Sequence, residues 1–134
     1  MTDVIYSING PVVKVQKTKS FTMAEMVYVG DKRLVGEVIG VNENETTVQV
    51  YEVTTGLKVG EPVVGSGSPL SALLGPGVMG NIFDGIERPL QVIAGNVGAF
   101  IPAGATADSL DFDKKWDVTM LVKTGDTVKG GDIF

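Results

Sequence analysis

The first half of the chain is built from short stretches of β-favouring residues that alternate with turn signals about every ten residues. The clearest turn signal is Asn9-Gly10, because both residues tolerate the positive φ angles of a tight hairpin. The predicted strands cover residues 4–8, 12–15, 26–29, 33–39, 46–53 and 62–64. Short strands at this spacing are typical of a small barrel or sandwich, so the chain is predicted to be mainly β.

The alternation of side chains along these strands predicts which of them face a core. Val13 and Val15 lie on one face of their strand, because successive side chains point to opposite sides. By the same argument Val48 and Val50 are expected to be buried. We predict that residues 1–68 form a closed or nearly closed antiparallel barrel, since closure removes exposed sheet edges.

The sequence changes character after the predicted barrel. Residues 65–69, Gly-Ser-Gly-Ser-Pro, are interpreted as a linker-like break. Residues 70–74 are predicted to form a helical turn. Residues 89–94 are predicted to form a short helix, with proline in its first turn and Gly95 just past its end.

Residues 74–90 combine glycines, prolines and large apolar side chains. Glycine permits backbone angles that other residues avoid, and proline fixes one angle and removes a donor. The apolar side chains in and beside this stretch are Leu73, Leu74, Val78, Met79, Ile82 and Phe83. They are too apolar for a free loop, so we expect a shaped connector that docks onto other parts of the protein.

Residues 101–134 again show patterns that predict strands and turns. Residues 116–122 alternate, with Trp116, Val118 and Met120 on one face. The pairs Gly125-Asp126 and Gly131-Asp132 are predicted turns.

Composition excludes several classes of function. The formal net charge is −5 and the basic residues are scattered, whereas a nucleic-acid-binding module shows a basic face. The absence of cysteine and histidine excludes disulfides and thiolate metal sites and removes the commonest general base. No signal-like segment follows Met1 and no run approaches the ~18 apolar residues of a membrane span, so the expected compartment is the cytoplasm.

Two glycine-rich motifs would indicate nucleotide binding. Residues 75–80, GPGVMG, match G-x-G-x-x-G, but a Gly-Ser-Pro break precedes them and Asp84-Gly85 interrupts any helix that follows. A packed connector is therefore the preferred interpretation. The chain contains no Gly-Lys pair, so it has no P-loop with which to hold a triphosphate.

A group of carboxylates near the end of the chain is a candidate acid–base or calcium site. Its members are Asp108, Asp111, Asp113 and Asp117, beside Lys114 and Lys115. A calcium loop would also need a glycine and a distal glutamate that are missing here. We interpret the group as a solvated surface loop.

Residues 122–134, VKTGDTVKGGDIF, resemble the strand–turn–strand of biotinyl and lipoyl carrier domains. Those carriers need a modifiable lysine on a hairpin elsewhere in their fold. Lys114 and Lys115 directly precede Trp116, a position that does not suit a hairpin tip. The resemblance therefore concerns the shape of the segment, and a free-standing β-rich binding or carrier module remains the alternative function.

The chain resembles, in order and along nearly its whole length, the N-terminal part of the catalytic A subunit of V-type and archaeal A-type rotary ATPases. INGPVVKV, MAEMVYVGDKRLVGEVIGV and TTVQVYEVTTGLKVGEPV are similar to its N-terminal barrel. GSPLSALLGPGVMGNIFDGIERPL is similar to its characteristic connector, and SLDFDKKWDVT continues the likeness into an inserted "bulge" domain.

This resemblance implies an organisation into an N-terminal β-barrel at 1–68, a connector with short helices at 69–100, and the start of a truncated, barrel-sandwich-like bulge domain at 101–134. It implies a structural and assembly role in a subunit that couples ATP hydrolysis or synthesis to ion transport. The implied partners are non-catalytic B subunits in an alternating hexamer and a peripheral stalk that contacts the bulge, with no nucleic acid and no membrane insertion. The implied location is cytoplasmic, peripheral to the membrane.

The resemblance transfers no site residue to this chain. The nucleotide site of the family, with ATP and magnesium, lies further along the family's sequence. We therefore assign no catalytic, no cofactor-binding and no metal-binding residue, and expect the isolated chain neither to bind nor to hydrolyse ATP.

Overall fold

A computed structural model describes residues 3–16 and 21–134. Within them, six strands precede a short 3₁₀ turn and one helix. The strands are β1 (Asp3–Asn9), β2 (Val12–Gln16), β3 (Glu25–Val29), β4 (Leu34–Val41), β5 (Glu45–Val50) and β6 (Pro62–Pro69). The 3₁₀ turn spans Pro76–Val78, and the helix α1 spans Leu90–Val97.

The six strands form a closed barrel in the order β1-β2-β5-β4-β3-β6, and every neighbouring pair is antiparallel. The predicted β1–β2 hairpin forms, but its two-residue turn is Gly10-Pro11, one position later than the predicted Asn9-Gly10 pair. Asn9 is the last residue of β1 and pairs with Val12, and of the two predicted turn residues only Gly10 has a positive φ, +57°. The prediction of a closed antiparallel barrel is confirmed.

The barrel interior is filled by aliphatic side chains from every strand. Val13 and Val15 of β2 and Val48 of β5 are fully buried, and Val50 of β5 is buried as well, as the alternation predicts. The other core residues are Ile5, Phe21, Val27, Val29, Leu34, Val38 and Val63.

The prediction that residues 65–69 form a linker-like break is wrong, because they are the end of β6. Val27 lies opposite Gly65 and Glu25 lies opposite Pro69, so a bulge intervenes between the two pairs. Gly67, at φ +77°, donates its N–H to Glu25 Oε1 at 3.0 Å. A Cβ on Gly65 would lie 2.3 Å from the same oxygen. Glycine at positions 65 and 67 therefore lets the backbone of β6 pass close to the buried Glu25 carboxylate.

Two predicted helical features differ in the structure. The turn predicted at 70–74 is absent, and the Leu73 N–H instead donates to the Glu87 carboxylate at 2.8 Å. The predicted helix forms, but Gly95 lies inside α1 rather than after it. The left-handed residue that ends α1 is Gly98, at φ +88°, whose N–H bonds to the Ala94 carbonyl.

Residues 101–134 contain no strand, so the strand predicted at 116–122 and the β-rich character expected here are wrong for this structure. Alternation alone is not sufficient, since a strand also needs a hydrogen-bonded neighbour. The two predicted Gly-Asp turns do form, and in each the aspartate N–H bonds to the carbonyl of Lys123 or Lys129 at 3.1 Å. The assignment of this region to an inserted domain stays a prediction.

None of the helices in the described ranges, 3–16 and 21–134, has the length and apolar character needed to cross a bilayer.

Replacing Val50 by alanine is expected to lower the free energy of unfolding by about 1–3 kcal/mol, through lost burial and a residual cavity. Val50 is 3% exposed. Val53→Ala is the matched control, because Val53 is 74% exposed and its truncation should change stability by less than about 0.5 kcal/mol. Urea denaturation followed by circular dichroism measures both, and equal losses would contradict the core assignment.

Candidate functional site

Segments that are distant in sequence meet at a cluster of charged side chains on the barrel wall. We call this cluster the charged joint and define it as Glu52, Asp84 and Arg88. Glu52 follows the β5 strand, while Asp84 and Arg88 lie in the loop before α1. The joint is therefore where the connector is attached to the barrel.

The loop that presents Asp84 and Arg88 is shaped by its own hydrogen bonds. An isolated β-bridge pairs Phe83 with Pro89 and closes the loop. Inside it, Asp84 Oδ1 accepts the backbone N–H groups of Ile86 at 3.1 Å and Arg88 at 2.9 Å. An aspartate that bonds its own downstream backbone is a typical way to fix a tight turn. The turn aims the Arg88 side chain at the barrel.

The Arg88 guanidinium contacts three separate parts of the chain. Its Nε donates to Asp84 Oδ2 at 2.6 Å, and its Nη1 donates to Glu52 Oε2 at 3.1 Å. The same Nη1 also donates to the Ala105 carbonyl at 3.2 Å. The fixed fork of an arginine suits such multiple contacts, which a lysine would not reproduce.

The Glu52 carboxylate accepts backbone hydrogen bonds from two distant parts of the chain, β4 and Gly104. Its Oε1 accepts from the Val35 N–H of β4 at 3.4 Å, and its Oε2 accepts from the Gly104 N–H at 3.0 Å. A Cβ on Gly104 would lie 1.9 Å from the Lys32 carbonyl oxygen, and Gly104 has φ +77°. Only glycine fits this approach of residue 104 to the barrel backbone.

The charges of the joint are largely shielded from water. The side chains of Glu52, Arg88 and Asp84 are 9%, 16% and 22% exposed. Burial opposes the charged form of Asp84, but hydrogen bonds from Arg88 and Ile86 and the Arg88 charge hold the pKa of Asp84 below its usual value. Burial likewise opposes the charge of Arg88, yet its contacts with Asp84 and Glu52 raise its pKa further. These two side chains stay ionised at neutral pH, so this pair holds segments together and transfers no proton.

A cavity of about 390 Å³ opens beside the joint, lined in part by Tyr51, Leu70 and Ile86. The Tyr51 hydroxyl donates to Glu37, and this hydrogen bond, with burial and the Glu37 charge, raises the pKa of Tyr51 to about 12. The phenol therefore stays protonated at neutral pH and offers no base to the cavity.

The carboxylates noted in the sequence are all on the surface. Asp108, Asp111, Asp113 and Asp117 are all exposed, and the Asp113 N–H donates to Asp111 Oδ1 at 3.0 Å. Among the residues that the structure describes, no three acidic side chains are grouped in a way that could hold a metal ion. The Lys114 ammonium lies 4.3 Å above the centre of the Trp116 ring, in a region without a hairpin.

The G-x-G-x-x-G stretch forms the 3₁₀ turn between β6 and α1 rather than a strand-to-helix junction. Its first two glycines serve packing, since a Cβ on Gly75 or Gly77 would lie 3.1 or 3.2 Å from the Leu110 side chain. The connector still presents apolar surface, with Leu74, Met79 and Ile82 at 78%, 81% and 58% exposed.

Sequence reasoning did not single out Glu52, Asp84 or Arg88 as a joint. The available signal was the group of three charged residues, Asp84, Glu87 and Arg88, in FDGIERPL, inside an otherwise apolar segment. Charged residues in such a setting are expected to have partners, but the sequence does not say which.

Comparison with known proteins places these features in a family. Residues 5–67 match the family described as "ATP synthase alpha/beta family, beta-barrel domain". The chain is 54% identical over 96% of its length to the V-type ATP synthase alpha chain of Halothermothrix orenii. It is 48% identical over 99% of its length to the catalytic A subunit of the V-type proton ATPase of Neurospora crassa, and 48% identical over 97% to the A subunit of the A-type ATP synthase of Methanosarcina barkeri. The chain spans 22% of the length of each of these relatives.

Proposed function

Because the chain belongs to the ATP synthase alpha/beta family and carries that family's β-barrel domain at residues 5–67, we propose that it is a structural and assembly part of the A subunit of a rotary ATPase. The parent subunit would couple ATP hydrolysis or synthesis to ion transport across a membrane. The observation that carries the proposal is the similarity of nearly the whole chain, at 54% identity, to the alpha chain of a V-type ATP synthase.

In this proposal the nucleotide chemistry belongs to other residues of the parent subunit. Relatives named as ATP synthases and ATPases imply ATP and magnesium in the parent. This chain has no P-loop, and Asp84 and Arg88 of the charged joint hold each other ionised. The barrel therefore supplies a rigid, closed element and leaves catalysis to the rest of the subunit.

The proposal extends to domains and partners. Residues 69–100 act as the connector and residues 101–134 begin the inserted domain. The barrel would stand beside the barrels of non-catalytic B subunits in an alternating hexamer, and the inserted domain would contact a peripheral stalk. The subunit would work at the cytoplasmic side of the membrane, peripheral to it. The exposed apolar side chains of the connector support this assignment, since such surface marks contact with further protein.

Deleting residues 1–68 from the full parent subunit is expected to abolish its hexamers with B subunits while Mg-ATP binding by the deleted form persists. The barrel is a closed unit, so its removal takes away an assembly surface and leaves the nucleotide site in place. Native mass spectrometry measures the hexamers, and calorimetry measures Mg-ATP binding. Hexamers at the yield of the intact protein would contradict the assembly role. Micromolar binding of Mg-ATP to the isolated chain, in competition with ADP, would contradict the assignment of nucleotide binding to other residues of the parent subunit.

A further inference from the structure

We infer that Glu52 makes the docking of the connector loop, residues 82–90, and of residues 102–105 a single cooperative step, so that neither segment leaves the barrel alone. The charged joint then couples the two segments to each other as well as to the barrel. This inference rests on the geometry of the joint and goes beyond the proposed assembly role.

The contacts at the joint form a closed ring rather than a chain. Glu52 Oε2 accepts from Arg88 Nη1 at 3.1 Å and from the Gly104 N–H at 3.0 Å. Arg88 Nη1 also donates to the Ala105 carbonyl at 3.2 Å. The barrel, the connector loop and residues 102–105 therefore each contact the other two, so the loss of any one removes contacts from both remaining partners.

The ring is held in place from the barrel side. Glu52 Oε1 accepts the Val35 N–H of β4 at 3.4 Å, which fixes the carboxylate against the strand. Residue 104 approaches the barrel so closely that a methyl group there would overlap the Lys32 carbonyl. The Glu52 carboxylate and Gly104 are thus both held against the barrel. Arg88 contacts the Glu52 carboxylate and the carbonyl of Ala105, the residue that follows Gly104.

Shielding from water strengthens the coupling. The Glu52 side chain is 9% exposed and the Arg88 side chain 16%. An ion pair is stronger when water is excluded, and exposed pairs contribute little. Residues 102–105 help exclude that water, so their departure would weaken the Glu52–Arg88 pair. Linkage is reciprocal, so departure of Arg88 would weaken the docking of residues 102–105 by the same factor.

Amide hydrogen exchange of the whole chain, read by mass spectrometry, tests this coupling through Gly104→Ala. This substitution changes neither Arg88 nor Asp84. We expect exchange to rise by about tenfold or more in residues 102–105 and also in residues 82–90, which lie on the connector. Barrel amides should keep their protection. Gly131→Ala is the matched control, because Gly131 also has a positive φ, +93°, but nothing lies within 4 Å of its added Cβ.

The reciprocal variant is Arg88→Gln, read at the amide of Gly104. If the two segments are coupled, that amide exchanges faster although its own residue and its Glu52 acceptor are unchanged. Faster exchange confined to the segment that carries each substitution would overturn the inference. That result would leave the proposed assembly role intact, since hexamer formation is measured separately. Should Gly104→Ala unfold the barrel, Arg88→Gln alone decides.

Discussion

Gly36→Ala is expected to destabilise the barrel by about 3 kcal/mol, because β4 and β5 leave no room for a methyl group between them. Gly36 is buried opposite Val50. A Cβ at this position would lie 2.9 Å from the Gln49 carbonyl oxygen and 2.9 Å from a Val48 methyl group. The carbonyl belongs to the backbone of β5 and is fixed in the sheet, so the strands must separate to relieve the clash.

Gly40→Ala is the matched control for this effect. Gly40 lies on the same strand, has no positive φ, and its added Cβ would lie 3.5 Å from the nearest atom, an ordinary contact. Alanine is favoured over glycine inside a strand by about 0.5–1 kcal/mol, so Gly40→Ala should leave the barrel as stable or slightly more stable. Urea denaturation of both variants gives the comparison. A similar loss at the two positions would show that the close approach of β4 and β5 is not the cause.

Glu25→Gln is expected to cost about 2–3 kcal/mol of unfolding free energy, because a buried carboxylate with several donors cannot be replaced by an amide. Glu25 is 6% exposed. One of its oxygens accepts the Thr22 N–H at 2.9 Å and the Thr22 hydroxyl at 3.1 Å, and the other accepts the Gly67 N–H at 3.0 Å. A glutamine would point an NH₂ group at one of these backbone donors and leave that donor unsatisfied.

The same variant should change how stability depends on pH. Burial raises the pKa of Glu25, but the hydrogen bonds from Thr22 and Gly67 outweigh it and lower the pKa below its ordinary value of 4.5. The folded state therefore binds the proton less readily than the unfolded state. The stabilisation is present above the unfolded-state pKa of 4.5 and is lost as the pH falls through the folded-state pKa.

Denaturation series at several acidic pH values measure this dependence. Glu25→Gln should lose less stability than the unmodified chain as the pH falls below 4.5, since glutamine does not titrate. The exposed Glu43→Gln is the control and should follow the unmodified chain. Parallel curves for the unmodified chain and Glu25→Gln would show that this carboxylate does not contribute to the acid sensitivity of the barrel.

The strands could be predicted because their signal is local. Side chains alternate between two faces in every strand, so the buried set, including Val13, Val15 and Val48, follows from spacing alone. Turn chemistry also predicts where the β1–β2 hairpin lies, to within one residue, because Gly10 supplies the positive φ that the tight turn needs. The same local reasoning was wrong for residues 116–122, where alternation was present but no neighbouring strand was available to pair.

The tertiary structure decided what depends on distant partners. In the sequence Gly65 and Gly67 resemble linker residues, yet they belong to β6. Gly67 donates its N–H to the carboxylate of Glu25, which is distant in the chain, and Gly65 leaves space for that carboxylate. The same is true of the charged joint, where Arg88 lies 36 positions and Gly104 lies 52 positions after Glu52 in the chain.

The sequence by itself determined the barrel, its core and the absence of a P-loop, because burial periodicity and motif spacing are properties of neighbouring residues. Only the tertiary structure decided how the connector is held. Ion pairs and close backbone approaches depend on which segments the closed barrel brings together, and no local pattern encodes that choice for Glu52, Arg88 and Gly104.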